Sequence, residues 1–285
     1  MSNILTKTIT IASSIVAGVF TFFPESFFGQ CEWVTQELIE KNKFIASLNA
    51  QDINIVISRL VCFALICLAT LLFNWFFLII RKSITLKGEN YTISVEYGDI
   101  HKIKKSKRII NFDECFTAKV GNAIADINPT SICGKYLLAH PDLNVQQLID
   151  NAKIAPEQSR SKYQGKIKYR SGTIVPNGDD LLMAFAKLDA RGKGRFFSRD
   201  EYVECLDYLW KEIEYYYGDK DVCIPILGAG TTVIDGGSGA SISQQDLLNM
   251  IILSYKLSSH KIKAPYKLRI ICKRNKDFSI NKINL

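Results

Sequence analysis

Residues 222–232 read Val222-Cys223-Ile224-Pro225-Ile226-Leu227-Gly228-Ala229-Gly230-Thr231-Thr232, and this stretch decides the fold. Val222 to Leu227 is a continuous apolar run of strand length rather than an alternating one. Strands read this way when helices cover both faces of their sheet, as in parallel α/β folds. The run ends at Gly228-Ala229-Gly230, and a second glycine-rich stretch, Asp235 to Gly239, precedes the next helical pattern. Glycines at such a strand end let main-chain N–H groups approach a phosphate, and a following helix terminus adds its dipole. No Gly-Lys-Ser/Thr follows, so this is not a Walker loop, and the third glycine is misplaced for Gly-x-Gly-x-x-Gly. On its own, Gly-Ala-Gly after a strand also suits an ordinary turn.

Working outward, Leu181 to Leu188 (LLMAFAKL) and Tyr266 to Cys272 (YKLRIIC) are further apolar runs of strand length. Tyr91 to Tyr97 alternates as a strand and stops at Gly98-Asp99, and Arg108 to Phe112 reads as another short strand. Between them lie helical patterns at Ser198 to Tyr217 and Ser243 to Leu257. Ser198 is placed as N-cap, with Glu201 at the capping-box position. Apolar strands alternating with amphipathic helices predict an α/β sheet covered on both faces. The stretch 156–180, rich in Lys, Ser, Gly and Gln, is expected to be an exposed hairpin or loop.

Ahead of this region, Leu60 to Ile80 holds 21 residues without formal charge, closed by Arg81-Lys82. About 20 apolar residues span a bilayer core, so this segment is expected to cross one. A shorter apolar run, Ile9 to Phe23, ends at Pro24. Bulky Phe22-Phe23-Pro24 stands where a cleaved signal peptide needs small residues, which favours a retained helix. The expectation is a two-helix transmembrane hairpin, helices about 8–28 and 57–80, within region 1–82, followed by a cytoplasmic domain at 83–285. Lys7 and Arg81-Lys82 flank the outer ends, while residues 25–54 are mainly acidic. The positive-inside rule therefore predicts a multi-pass inner-membrane protein with both termini in the cytoplasm. Arg59 is expected to snorkel or to mark a later helix start.

Residues 83–285 carry 30 Lys+Arg against 23 Asp+Glu, most of the chain's net +8. Such a balance suits nucleic acid, anionic head groups or a phosphate-bearing ligand, and equally a solvated basic surface beside an anionic membrane. With no run of interleaved aromatics and Arg, nucleic acid is not the expected partner. The eight cysteines form no Cys-x-x-Cys pair, and Cys62 and Cys67 lie in the expected span, so free thiols in a reducing compartment are expected. His101, His140 and His260 give no metal-ligand spacing. Asp189 to Asp200 has an EF-hand outline, but Arg191 and Lys193 occupy ligand positions, which excludes calcium and leaves a tight basic loop. Asp113-Glu114 offers a pair of carboxylates for acid–base work or, more blandly, a solvated turn.

In combination these segments resemble a macro domain, the fold that binds ADP-ribose. The runs INFDECF (110–116), SICGKYL (131–137), LLMAFAKLD (181–189), FFSRDEYVECLDYLWKEIEYYYG (196–218) and VCIPILGAG (222–230) are similar to the macro-like domain of Thoeris antiphage effectors. The resemblance covers roughly residues 90–275 and implies a three-layer α/β/α domain with a mixed sheet behind two transmembrane helices. It also implies that Asp99 and Ile100 contact adenine, that Asn111 and the following residues, including Glu114, reach the distal ribose, and that Gly228, Ala229, Gly230, Thr231 and Thr232 cradle the diphosphate. Where hydrolases of this family carry Asn-Ala-Ala-Asn and then a Gly-rich loop, this chain has Asn111-Phe112-Asp113-Glu114 without one. A binding sensor, not an enzyme, is thus implied, with ADP-ribosyl hydrolysis as the alternative. The implied ligand is an ADP-ribose conjugate made from NAD by a TIR-domain partner, with no cofactor. The implied outcome is homo-oligomerisation and membrane disruption in antiphage defence.

Overall fold

A computed structural model describes residues 2–41, 47–230, 232–234, 242–275 and 278–283. The chain divides into two compact units, Met1–Arg81 and Lys82–Leu285.

The first unit contains α1 (Ser2–Phe22), α2 (Glu25–Phe28), α3 (Gln36–Glu40) and α4 (Ala50–Ile80). The helix expected over 8–28 breaks before Pro24, which is extended (φ −66°, ψ 155°) and starts α2. Proline supplies no N–H and forces the residue before it out of helical geometry. The second helix begins at Ala50 rather than near 57, because Asn49 caps it by accepting the Gln51 N–H. Its first turns carry polar residues that tie down the preceding loop. The buried Asn54 amide accepts the N–H groups of Trp33 and Val34 and donates to the Val34 carbonyl. The Trp33 indole donates to Ser58 Oγ at 2.9 Å. Arg59 pairs with Glu25 at 3.1 Å and lies over the rings of Phe20 and Phe28. At 1.5 Å per residue α4 is about 46 Å long, beyond the roughly 30 Å of a bilayer core. Among the described residues, α4 is the helix long and apolar enough to cross a membrane; the apolar stretch of α1, Ile9–Phe22, is shorter.

The second unit is built on β1 (Ser83–Lys87), β2 (Thr92–Tyr97), β3 (Lys107–Asp113), β4 (Ile174–Asn177), β5 (Asp180–Leu188), β6 (Gly194–Phe196), β7 (Val222–Pro225), β8 (Val233–Ile234) and β9 (Leu268–Cys272). Its helices are α5 (Ile132–Ala139), α6 (Val145–Asn151), α7 (Arg199–Tyr216) and α8 (Gln244–Leu257). The sheet order is β1-β2-β9-β7-β3-β5-β6-β8, with β4 also on β5. The run β2-β9-β7-β3-β5 is parallel, whereas β1, β4 and β6 pair antiparallel, giving a mixed sheet.

The two-faced burial read from sequence sorts the side chains by strand periodicity. Leu181, Met183 and Phe185 of β5 join Tyr202, Leu209 and Trp210 of α7 and Leu248 and Ile252 of α8 in one core. Leu182 and Ala184 point the other way, into a second core with Cys133 and Tyr136 of α5 and Ile149 of α6. These are the two outer layers of an α/β/α sandwich. Ser198 caps α7 as the sequence implied, accepting the Glu201 N–H, while the Glu201 carboxylate accepts the Phe197 N–H. Asp189 closes its tight basic loop by accepting the N–H groups of Arg191 and Lys193.

The stretch 156–180 is an exposed loop over most of its first part, as expected, with residues 156–160 and 164–167 exposed, but it turns inward at Ser161 and Tyr169 and from Ser171 onward. At the inward points Ser161 donates to Glu114 and Tyr169 N–H donates to the Glu114 carbonyl, and β4 adds to the sheet. Satisfaction of these groups by a distant residue lets the two points of the loop pack inward.

Arg269 on β9 holds Glu96 on β2 through two bonds, Nε–Oε1 at 2.7 Å and Nη2–Oε2 at 3.0 Å. The Arg269 hydrogen bond holds the Glu96 carboxyl below its ordinary 4.5. The folded form therefore binds that proton less readily than the unfolded chain does. The stabilisation is complete above about pH 4.5 and is lost as pH falls through the lowered folded value. Arg269→Gln should cost about 1–2 kcal/mol at neutral pH and much less near pH 3, measured by denaturant unfolding at both.

Candidate functional site

A cleft of about 470 Å³ opens at the C-terminal ends of the parallel strands. Ligands of open α/β sheets bind at this edge, where strands end in loops and helix N-termini begin. Each wall follows from a strand end. Gly98 and Asp99 continue β2, Asn111 lies near the end of β3, Pro225 and Ile226 end β7, and Lys273 and Arg274 continue β9. A second cavity of about 500 Å³ shares Asn111, Asn128, Ser131 and Thr232 with the first, so the two are lobes of one depression.

Asp99 caps a short 3₁₀ turn, Ile100–Lys102, by accepting the His101 N–H, which fixes its carboxylate at the cleft wall. Ile100 is buried against Cys223 and Ile271. Asn111 Oδ1 and His101 Nε2 are buried and have no hydrogen-bond partner. Unsatisfied buried polar atoms are costly in a native fold, and at a cleft they are open to a bond from water or a ligand. Burial holds the His101 imidazole below its ordinary value, so it is neutral at physiological pH.

The glycine loop is dictated by sterics. Gly228 has φ +84°, and a Cβ there would stand 3.0 Å from Ile234 Cδ1. At Gly230 a Cβ would meet nothing within 4 Å, which leaves the main chain open to the cleft. Gly228, Ala229, Gly230 and Thr232 line the cleft together with Asp99, Ile100 and Asn111. Thr231 and the glycine-rich stretch at 235–239 lie outside the described residues.

Glu114 does not join them. It is buried behind the cleft, where its Oε1 accepts the Ser161 hydroxyl at 2.5 Å and the Leu188 N–H at 3.1 Å. The strand register slips between Phe112 and Asp113. Beyond the slip, Asp113 lines the second lobe, as does Asp126. Asp113 Oδ1 accepts the N–H groups of Cys115 and Thr117, and burial raises the Asp113 pKa above the ordinary 3.8.

Sequence reasoning missed the opposite wall, Asn128, Thr130, Ser131 and Lys135, and the cations Lys273 and Arg274. Ser131 caps α5, accepting the Gly134 N–H and donating to the Asn128 carbonyl. The helix start thus brings its partial positive charge to the cleft wall. The signals were present as Asn128-Pro129-Thr130-Ser131 ahead of an apolar run, a helix-start pattern, and as two cations directly after a strand end.

Residues 93–273 match the family described as Thoeris protein ThsA, Macro domain. The chain belongs to this family. It is 27% identical over 214 residues to Thoeris protein ThsA of Bacillus amyloliquefaciens (strain Y2), covering 72% of this chain and 70% of that protein. Among solved structures it is similar to the Oceanobacillus iheyensis macrodomain with ADP, with a TM-score of 0.41 and 11% identity over 68% of this chain and 90% of that one. It is also similar to the macrodomain of Thermus aquaticus DarG, with a TM-score of 0.35 and 9% identity over 64% of this chain and 98% of that one.

In this macro domain the α5 wall depends on Gly134, where a Cβ would stand 2.1 Å from the Asn128 carbonyl oxygen. Gly134→Ala should destabilise the domain by about 1–3 kcal/mol through forced backbone displacement. Denaturant unfolding measures that loss, and increased amide exchange at 128–134 should accompany it.

Proposed function

We propose that this chain is a membrane effector of a Thoeris antiphage system, switched by an ADP-ribose conjugate bound in its macro domain. The observation that carries the reading is the cleft itself. Asp99, the unsatisfied Asn111, the open main chain at Gly230 and the cations Lys135, Lys273 and Arg274 stand along one depression. In order, these supply an acceptor for an exocyclic amine, a polar group for ribose, and neutralisation for a diphosphate. A TIR-domain partner makes the conjugate from NAD. Binding biases the assembly of copies of the chain in the inner membrane, with the macro domain on the cytoplasmic side and both N-terminal helices in the bilayer, and the assembly breaches the membrane.

Binding rather than turnover is favoured by Glu114, whose carboxylate is engaged by Ser161 and Leu188. Hydrolysis remains a second reading because Asp113, a carboxyl raised by burial, lines the adjoining lobe. Incubating the purified chain with ADP-ribosylated protein separates the two. Product formation abolished by Asp113→Asn would establish the enzyme, and stoichiometric binding without product the sensor.

Asp99→Ala removes an acceptor bond to a charged group and should weaken ADP-ribose binding about ten- to 150-fold by calorimetry. Gly230→Glu should weaken it further by placing a carboxylate in the diphosphate path. Cells co-expressing the chain with an active TIR partner should become permeable to dye, and the Asp99 variant should not. Intact membranes with the wild-type protein present would overturn the effector reading.

A further inference from the structure

Two residues separate the last helix of the first unit from the first strand of the second. α4 ends at Ile80 and β1 begins at Ser83, so Arg81 and Lys82 alone join them. β1 runs antiparallel to β2 with Ser83 opposite Glu96. The chain therefore enters the macro domain beside the C-terminal end of β2, the end that continues into Gly98 and Asp99 of the cleft wall.

Tyr97 stands at that junction and makes a contact in each direction. Its backbone N–H donates to the Lys82 carbonyl at 3.0 Å. Its ring carries the guanidinium of Arg274, a cleft-lining cation, at 4.8 Å from the centroid. Its hydroxyl accepts the Ile280 N–H at 3.1 Å, and Ile280 begins a 3₁₀ turn that packs against β1. The ring also meets Phe278 edge-on. The neighbouring residue cannot give way easily, because Glu96 is clamped to β9 by Arg269.

From this geometry, and resting on the reading that the cleft takes an ADP-ribose-type ligand, we infer that Tyr97 is the positioning residue that couples cleft occupancy to the segment leading into α4. A guanidinium over a ring face is held by the ring quadrupole. A phosphate oxygen offers the same group a stronger, charge-assisted bond in a different direction. Ligand binding thus draws Arg274 away from the Tyr97 ring. Tyr97 resettles against Phe278 and Ile280, and its main-chain bond to Lys82 carries the change to the chain entering β1. Coupling of this kind needs a discrete element that both sites bias, and the Tyr97 ring, with Arg274 seated or withdrawn, is that element.

The test uses the full chain in phospholipid nanodiscs with ADP-ribose as probe, reading affinity and amide hydrogen exchange together. In the wild type, saturation should change exchange across residues 82–87 by about fivefold or more. Tyr97→Leu should keep its affinity within about threefold and lose that response. Tyr97→Phe, which keeps the ring under Arg274, should retain most of it. Arg274→Gln, saturated with enough ADP-ribose to offset its weaker binding, should lose it, which decides the matter even if the leucine variant folds poorly. Unchanged exchange at 82–87 in wild type with ADP-ribose bound would overturn the coupling, as would a full response in the Arg274 variant. Absence of ADP-ribose binding to the wild type is a different result: it removes the reading of the cleft, and the coupling with it.

Discussion

Burial of the central strands on both faces is the constraint on which the rest of the macro domain depends. β5 places Leu181, Met183 and Phe185 against α7 and α8 and Leu182 and Ala184 against α5 and α6. Its backbone groups are left with neighbouring strands as partners. That requirement puts parallel β3 on one side and antiparallel β4 and β6 on the other. Once helices occupy both faces, the strand ends are the remaining places where main chain reaches the surface. Loops there keep polar groups that the sheet does not satisfy. The cleft forms at one of these two edges because five parallel strands end on it together.

The cleft is thus a by-product of packing, tuned by a few residues that packing does not need. Gly228 and Gly134 are fixed by close approach, since a side chain at either would meet Ile234 or the Asn128 carbonyl. Asn111 and His101 instead carry buried atoms with no partner, a cost that nothing within the fold offsets. The two neighbouring carboxylates diverge for the same kind of reason. Glu114 is satisfied by Ser161 and Leu188 and serves as an internal strut, whereas Asp113 is left at the second lobe with its charge disfavoured by burial.

In the N-terminal unit, the polar residues that tie down the preceding loop sit ahead of the apolar run. Asn54, Ser58 and Arg59 spend their hydrogen-bonding capacity on Val34, Trp33 and Glu25, which explains how α4 extends nearly three turns before Leu60. Proline decides the end of α1 in the same local way. Hydropathy located the long apolar helix and placed its C-terminal end, because length and lack of charge are properties of contiguous residues.

What the sequence determined by itself was whatever depends on neighbours in the chain. Strand and helix identity, the Ser198 cap, the Asp189 turn, the glycine loop after β7 and the α/β class all follow from periodicity and local hydrogen bonding. Asp99, Asn111, Gly228 and Gly230 were legible because each lies near or shortly after the end of a strand that the pattern had already marked. Tertiary structure alone decided that Ser161 and Tyr169, in an otherwise exposed loop, anchor on Glu114. It also decided that Asn128, Ser131 and Lys135 form the far wall, and that Lys82 enters the domain against Tyr97. The bonds involved join residues from fifteen apart, Lys82 and Tyr97, to fifty-five apart, Glu114 and Tyr169. A side chain's identity sets which bonds it can make, but register and crossover set which partner arrives, and no local pattern encodes that arrival.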